Sequence, residues 1–102
     1  KNFNNSGIYF GPGRPQIPFE LIELLLLNKL KFFGCDLPSV DVSGMEDKPI
    51  HHALLEANII IYESLANLGE LSFFKPFNFY GFPLSLVGLD GSPVRAVAEN
   101  II

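Results

Sequence analysis

The sequence contains no tryptophan, one methionine and one cysteine among its 102 residues. A single thiol cannot close an internal disulfide, so packing has to hold the fold, and the usage fits a reducing compartment such as the cytoplasm. Basic residues are also scarce. Seven Lys and Arg stand against eleven Asp and Glu, for a formal net charge of -4, and they form no basic block. Clustered Lys and Arg supply most nucleic-acid affinity, so nucleic acid is excluded as an expected partner. The longest apolar stretch, Leu24 to Leu27 with Leu21 and Ile22 before it, is interrupted by Glu23 and falls far short of the ~20 residues that span a bilayer. No membrane segment is expected, and no signal-peptide pattern follows Lys1.

What the chain does have is apolar residues, 48% against 18% charged, where about 25% charged is usual. Such a chain folds rather than staying disordered, and it is expected to associate, as a homo-oligomer or with another chain. Residues 1–16 hold Asn2, Asn4, Asn5, Ser6, Gly7, Gly11, Pro12, Gly13 and Pro15, which reads as a loop-rich entry segment. Residues 17–102 form the folded part. Pro18 suits a first helical turn, and Phe19 to Leu27 then leave only Glu20, Glu23 and Asn28 as a polar stripe, predicting a helix buried on several sides. Leu30 to Gly34 reads as a strand feeding the loop Cys35 to Asp41. Lys48 to Asn58, with Pro49 early and Asn58 as a stop, predicts a second helix, and Ile59 to Tyr62 an inner strand.

Leu65 to Phe74 reads as loop with one helical turn. Lys75 to Gly88 is rich in strand formers but broken by Gly81 and Pro83, and the proline suggests a strand start or an edge. Asp90-Gly91 separates two extended runs, Leu84–Leu89 and Pro93–Ala98. The order helix, strand, helix, strand, followed by C-terminal strands, is α/β grammar. No repeat is present, and no linker divides the chain.

Two histidines are available, adjacent at His51 and His52. Adjacent helical residues point about 100° apart, so at most one of them faces a given ion. Glu63 comes twelve residues after His51, at the far end of the second strand, and a helix followed by a returning strand can bring the two to one sheet edge. On spacing alone, a shared metal site and a surface histidine near an unrelated carboxylate both stay open. Cys35 follows two phenylalanines with no basic neighbour closer than Lys31, the setting of a buried, inert thiol. No serine sits in a nucleophile elbow, and Gly11-Pro12-Gly13 does not follow a strand. Asp36, Ser39 and Asp41 fit either a loop lining a site or a self-satisfied turn. Arg95 fits either a carboxylate holder or a strand-edge ion pair.

Three stretches, FFGCDLPSVD at Phe32–Asp41, HHALLEANIIIYESLANL at His51–Leu68 and PLSLVGLDGSPVRAVA at Pro83–Ala98, together resemble the carboxyl-terminal half of a known family. This is the cyclase family of metal-dependent hydrolases, which includes bacterial kynurenine formamidase and isatin hydrolase. The resemblance implies a β-rich α/β fold and a divalent metal, zinc or manganese. It implies that His51 and Glu63 are the metal ligands, that the Asp36–Asp41 loop is pocket wall, and that His52 is a helix-surface or outer group. The substrate it implies is a small N-formyl aryl amide or cyclic amide. Phe32, Phe33, Leu37 and the phenylalanines of Phe73–Phe82 are expected to serve mostly as core, with an apolar pocket wall as their other use.

The same family carries an earlier His-x-Gly-Thr-His-x-Asp-x-Pro-x-His stretch that supplies its remaining ligands, and nothing in this sequence resembles it. A hydrolytic zinc site keeps about three protein ligands and a water, and His51 with Glu63 provides half of that. The other donors are therefore expected from an N-terminal half of a longer chain, to which the non-Met start also points, or from another chain. The alternative is a non-catalytic fragment or degenerate relative that serves as an assembly or binding module.

Overall fold

The structure, a computed structural model, describes residues 6–42 and 44–101. Proline opens both main helices, because its fixed φ suits the first turn and its missing N–H is not needed there. Helix α2 (Phe19–Leu27) follows Pro18, and α3 (Pro49–Glu56) starts on Pro49 itself, while α1 is a single turn, Ser6–Tyr9. Asn58 stops α3 as expected. It takes a left-handed φ of 59°, and the N–H groups of Asn58 and Ile59 return to the carbonyls of Leu55 and Leu54 at 3.0 and 2.9 Å.

Strand β1 (Phe32–Gly34) pairs in parallel with β2 (Ile60–Tyr62), in the register Phe32 to Ile60 through Gly34 to Tyr62. Helix α3 is the crossover between them, so β1, α3 and β2 make one βαβ unit. Among the described residues the buried apolar ones are Ile22 of α2, Ile50 and Leu54 of α3, Ile59, and Cys35, Leu37 and Val40 of the loop after β1, with Phe33 and Ile61 packed against them. Beyond the strands the two exits stay tied together. Cys35 N–H donates to Tyr62 O, Ser64 N–H to Leu37 O and Leu65 N–H to Cys35 O, at 3.0, 2.8 and 3.0 Å. Gly34 permits this closeness, since a Cβ there would stand 2.9 Å from Leu65 Cδ1.

The chain divides into two compact units, Lys1–Ala66 and Asn67–Ile102. The division falls after β2, where no change in composition marks it. The second unit holds a 3-10 turn, Leu68–Glu70, and an antiparallel pair, β3 (Phe77–Pro83) with β4 (Val94–Asn100). Residues 84–93 connect the strands, and Leu84 N–H donates to Ser92 Oγ at 2.8 Å across the connection. None of its described residues is buried.

Four expectations are corrected here. Helix α2 fully buries only Ile22, with Leu25 and Leu26 partly buried against the core on the side that meets α3, and Leu24 and Leu27 remain 56% and 81% exposed. Gly81 lies inside β3 instead of breaking it, and of the two places expected for Pro83 the structure shows the edge, at the end of β3 in a two-stranded ribbon, and not a strand start. Leu84–Leu89 is connection, not strand. Phe73, Phe74 and Phe82 are exposed and form no core, whereas Leu37 is buried as expected.

Core packing in the first unit should dominate stability. Leu54 has no exposed surface, so Leu54→Ala should lower the urea-unfolding free energy by ~2–5 kcal/mol. Val87, 97% exposed, should tolerate Ser with a change below about 0.5 kcal/mol.

Candidate functional site

Helix α3 begins without a local cap. Lys48, the residue before it, is left-handed at φ 42° and ψ 60°, and no side chain at that position satisfies the first helical N–H groups. The acceptor comes from further back. Asp41, in the loop after β1, receives Ile50 N–H on Oδ1 at 2.8 Å and His51 N–H on Oδ2 at 3.0 Å. The same Oδ2 lies 2.6 Å from His51 Nδ1.

Asp41 is itself held at both main-chain ends. Its N–H donates to Ser39 Oγ at 3.1 Å, and its carbonyl accepts from Nη2 of the buried Arg14 at 2.8 Å. Burial of the carboxyl pushes its pKa upward, but the N–H groups of His51 and Ile50 and the His51 imidazole outweigh that and hold it below the ordinary value. Asp41 is thus an anion, placed at the positive end of the α3 dipole.

Glu63 follows directly on β2. Its Oε2 accepts Val40 N–H at 2.7 Å and stands 3.2 Å from His51 Nε2. The imidazole therefore has a carboxylate at each ring nitrogen. A nitrogen and a carboxylate oxygen facing at this distance are satisfied by a shared proton or by a shared metal ion. Ser64, the next residue, takes a left-handed φ of 58° that turns the chain away from β2, and its Oγ accepts the Tyr9 hydroxyl at 3.2 Å.

The structure thus brings together His51 and Glu63, the two residues singled out in the sequence. His52 is exposed on α3. Of the three polar loop residues, Ser39 and Asp41 belong to the network, and Asp36 takes part in none of its described bonds. Cys35 is buried, its thiol raised in pKa chiefly by burial. Arg95 is exposed, with no carboxylate in ion-pair range among the described residues. Among the described residues no group of three or more His, Cys, Asp and Glu could hold a metal ion, so His51 and Glu63 stand as a pair. Sequence reading missed the contact of Asp41 with His51 and the part of Arg14. The signal was present in the uncapped start at Pro49, but the cap comes from too far upstream for a capping-box pattern to find it.

Comparison with known proteins extends this picture. No family model matches the chain. A kynurenine formamidase of Salinibacter ruber is 42% identical over 83 residues, which are 79% of this chain and 37% of that protein. One from Geobacillus thermodenitrificans is 38% identical over 89 residues, 85% of this chain and 41% of that protein. An uncharacterized protein of Methanocaldococcus jannaschii is 36% identical over 85 residues, 82% of this chain and 41% of its own length. The chain spans about two fifths of the length of these relatives. A solved structure described as a potential metal-dependent hydrolase with cyclase activity matches 85% of this chain and 42% of its own, with a TM-score of 0.62 and 22% identity. The chain is therefore homologous to the kynurenine formamidases over the matched stretch, and it shares the α/β fold of that cyclase-like hydrolase.

The Asp41 network should be visible in acid. A carboxyl whose pKa is lowered on folding contributes stability that is complete above the ordinary carboxyl range, near about pH 4, and is lost as the pH falls through the lower folded-state value. Urea unfolding followed from about pH 6 downward should show a shallower acid loss for Asp41→Asn than for the wild type. Parallel curves would contradict the assignment.

Proposed function

We propose that this chain, a homologue of the kynurenine formamidases, is part of a cyclase-family metal-dependent hydrolase of small amides, to which it contributes the metal ligands His51 and Glu63. The observation that carries this reading is the 3.2 Å between His51 Nε2 and Glu63 Oε2. Nitrogen and oxygen donors bound at about 2.0 Å in one tetrahedral site stand roughly 3.3 Å apart, so the pair already has the spacing of two ligands on one ion. Imidazole and carboxylate suit zinc and manganese alike, and either is the cofactor of this proposal.

When bound, such a metal polarises an amide carbonyl and makes a water molecule acidic enough to attack at neutral pH. The chain's own residues do the rest of what falls to this part. His51 presents Nε2 as a neutral imidazole donor. Glu63 is anchored through Oε2 by the Val40 N–H, and its Oε1, which takes part in no described hydrogen bond, is the atom free to receive a proton.

Two ligands leave the coordination incomplete. The remaining donors come, in this proposal, from an N-terminal half or from another chain, which the two-fifths coverage of the relatives supports. The formamidase names of those relatives support an N-formyl aryl amide as substrate, with a cyclic amide as the other member of the class. The exposed leucines of α2 support association into a homo-oligomer, and the lone thiol supports a cytoplasmic setting. Among the described residues no helix is long and apolar enough to cross a membrane.

Titration of the full chain with Zn2+ tests the site. One weakly bound ion per chain is expected, with affinity reduced by more than about tenfold in His51→Ala and in Glu63→Ala and unchanged in His52→Ala. Equal affinity in all three variants would remove the proposed ligands.

A further inference from the structure

Asp41 does two things with one oxygen. Its Oδ2 caps α3 through the His51 N–H at 3.0 Å and meets the His51 ring at Nδ1, 2.6 Å away. A carboxylate faces each ring nitrogen and can only accept, so a neutral imidazole places its single hydrogen on the shorter contact, Nδ1 to Asp41 at 2.6 Å, and not on Nε2, which lies 3.2 Å from a Glu63 Oε2 that already accepts the Val40 N–H. In a neutral imidazole the other nitrogen then holds the lone pair, and here that nitrogen is Nε2, the atom facing Glu63. The carboxylate has no freedom to do otherwise. Oδ1 is taken by Ile50 N–H, the Asp41 carbonyl is held by Arg14, and the side chain keeps only 3% of its surface exposed.

We propose that Asp41 is a positioning residue that fixes the tautomer and ring orientation of His51, so that Nε2 is presented as a lone-pair donor toward Glu63. The proposal rests on the reading of His51 as a ligand only for its purpose, since the tautomer itself can be observed without any metal. Capping and tautomer selection share one atom, so α3 cannot be docked on the Asp41 loop without His51 being set in the same act. Without the Asp41 carboxylate, the carboxylate left beside the ring among the described residues is Glu63, at Nε2. The imidazole hydrogen would then move to Nε2, and the lone pair facing Glu63 would be lost.

The experiment is a long-range 1H–15N spectrum of the full chain, labelled with 15N-histidine and metal-free, at about pH 9, where imidazoles are ordinarily neutral. The wild type is expected to show His51 with a protonated Nδ1 and a lone-pair Nε2, with His52 as the internal reference on the same helix. Asp41→Ala is expected to reverse the His51 pattern and leave His52 unchanged, and to weaken Zn2+ binding by about 10–100-fold. A wild-type His51 protonated at Nε2 overturns the proposal, and so does an Asp41→Ala variant whose His51 keeps the wild-type pattern, whatever its stability. If the variant does not fold, the wild-type spectrum still decides. A chain that shows the expected tautomer but takes up no Zn2+ would remove the metal reading and leave the role of Asp41 standing.

Discussion

A single buried carboxylate, Asp41, joins the start of the crossover helix to the loop after the first strand, and the rest of the first unit is arranged around that junction. Burying a charge is costly unless hydrogen bonds replace its water. Here two main-chain N–H groups and an imidazole do so, and bonds to charged groups contribute roughly 1.5–3 kcal/mol each. His51 stands two residues after Pro49, little more than half a helical turn, so the capping geometry is transmitted to the histidine directly. The oxygen that caps α3 also holds the ring of its third residue.

Topology explains why the other partner arrives at the same place. In a parallel βαβ unit the exit of the first strand, the start of the helix and the exit of the second strand all lie at one sheet edge, where α/β folds place their sites. Asp41, His51 and Glu63 come from those three places in that order. The hydrogen bonds from Cys35, Ser64 and Leu65 then tie the two exits together, and Val40 N–H fixes the carboxylate that the second exit delivers. The hydrogen bonds described at the site all lie within the first unit, so its geometry is set by local chain reversal and main-chain donors.

Much of this was legible from residues alone. The prolines at 18 and 49, the asparagine at 58 and the β-branched run at 59–61 each act through backbone chemistry that depends little on what surrounds them, and the elements appear where those residues put them. The pairing of His51 with Glu63 was visible as a possibility of spacing and as an implication of resemblance, and its geometry needed the parallel register. Asp41 was seen as a loop residue and its contacts were not, because a cap supplied by a distant loop leaves no local pattern. Helix α2 and the aromatic residues of the second unit were misread for one reason. Apolar residues indicate that burial is wanted, and they do not say whether the same stretch of chain provides it. Leu24, Leu27, Phe74 and Val87 are open to solvent here although their composition reads as interior.

Gly34 closes the first strand and lets the Leu65 side chain lie against the main chain where a methyl group would otherwise stand. The span between the two arms of the site is in this sense set by a hydrogen atom. A bulkier side chain at 34 would act as a wedge, forcing Leu65 aside and straining the turn that delivers Glu63, so the tolerance of the gap facing His51 depends on a position that carries no functional group at all.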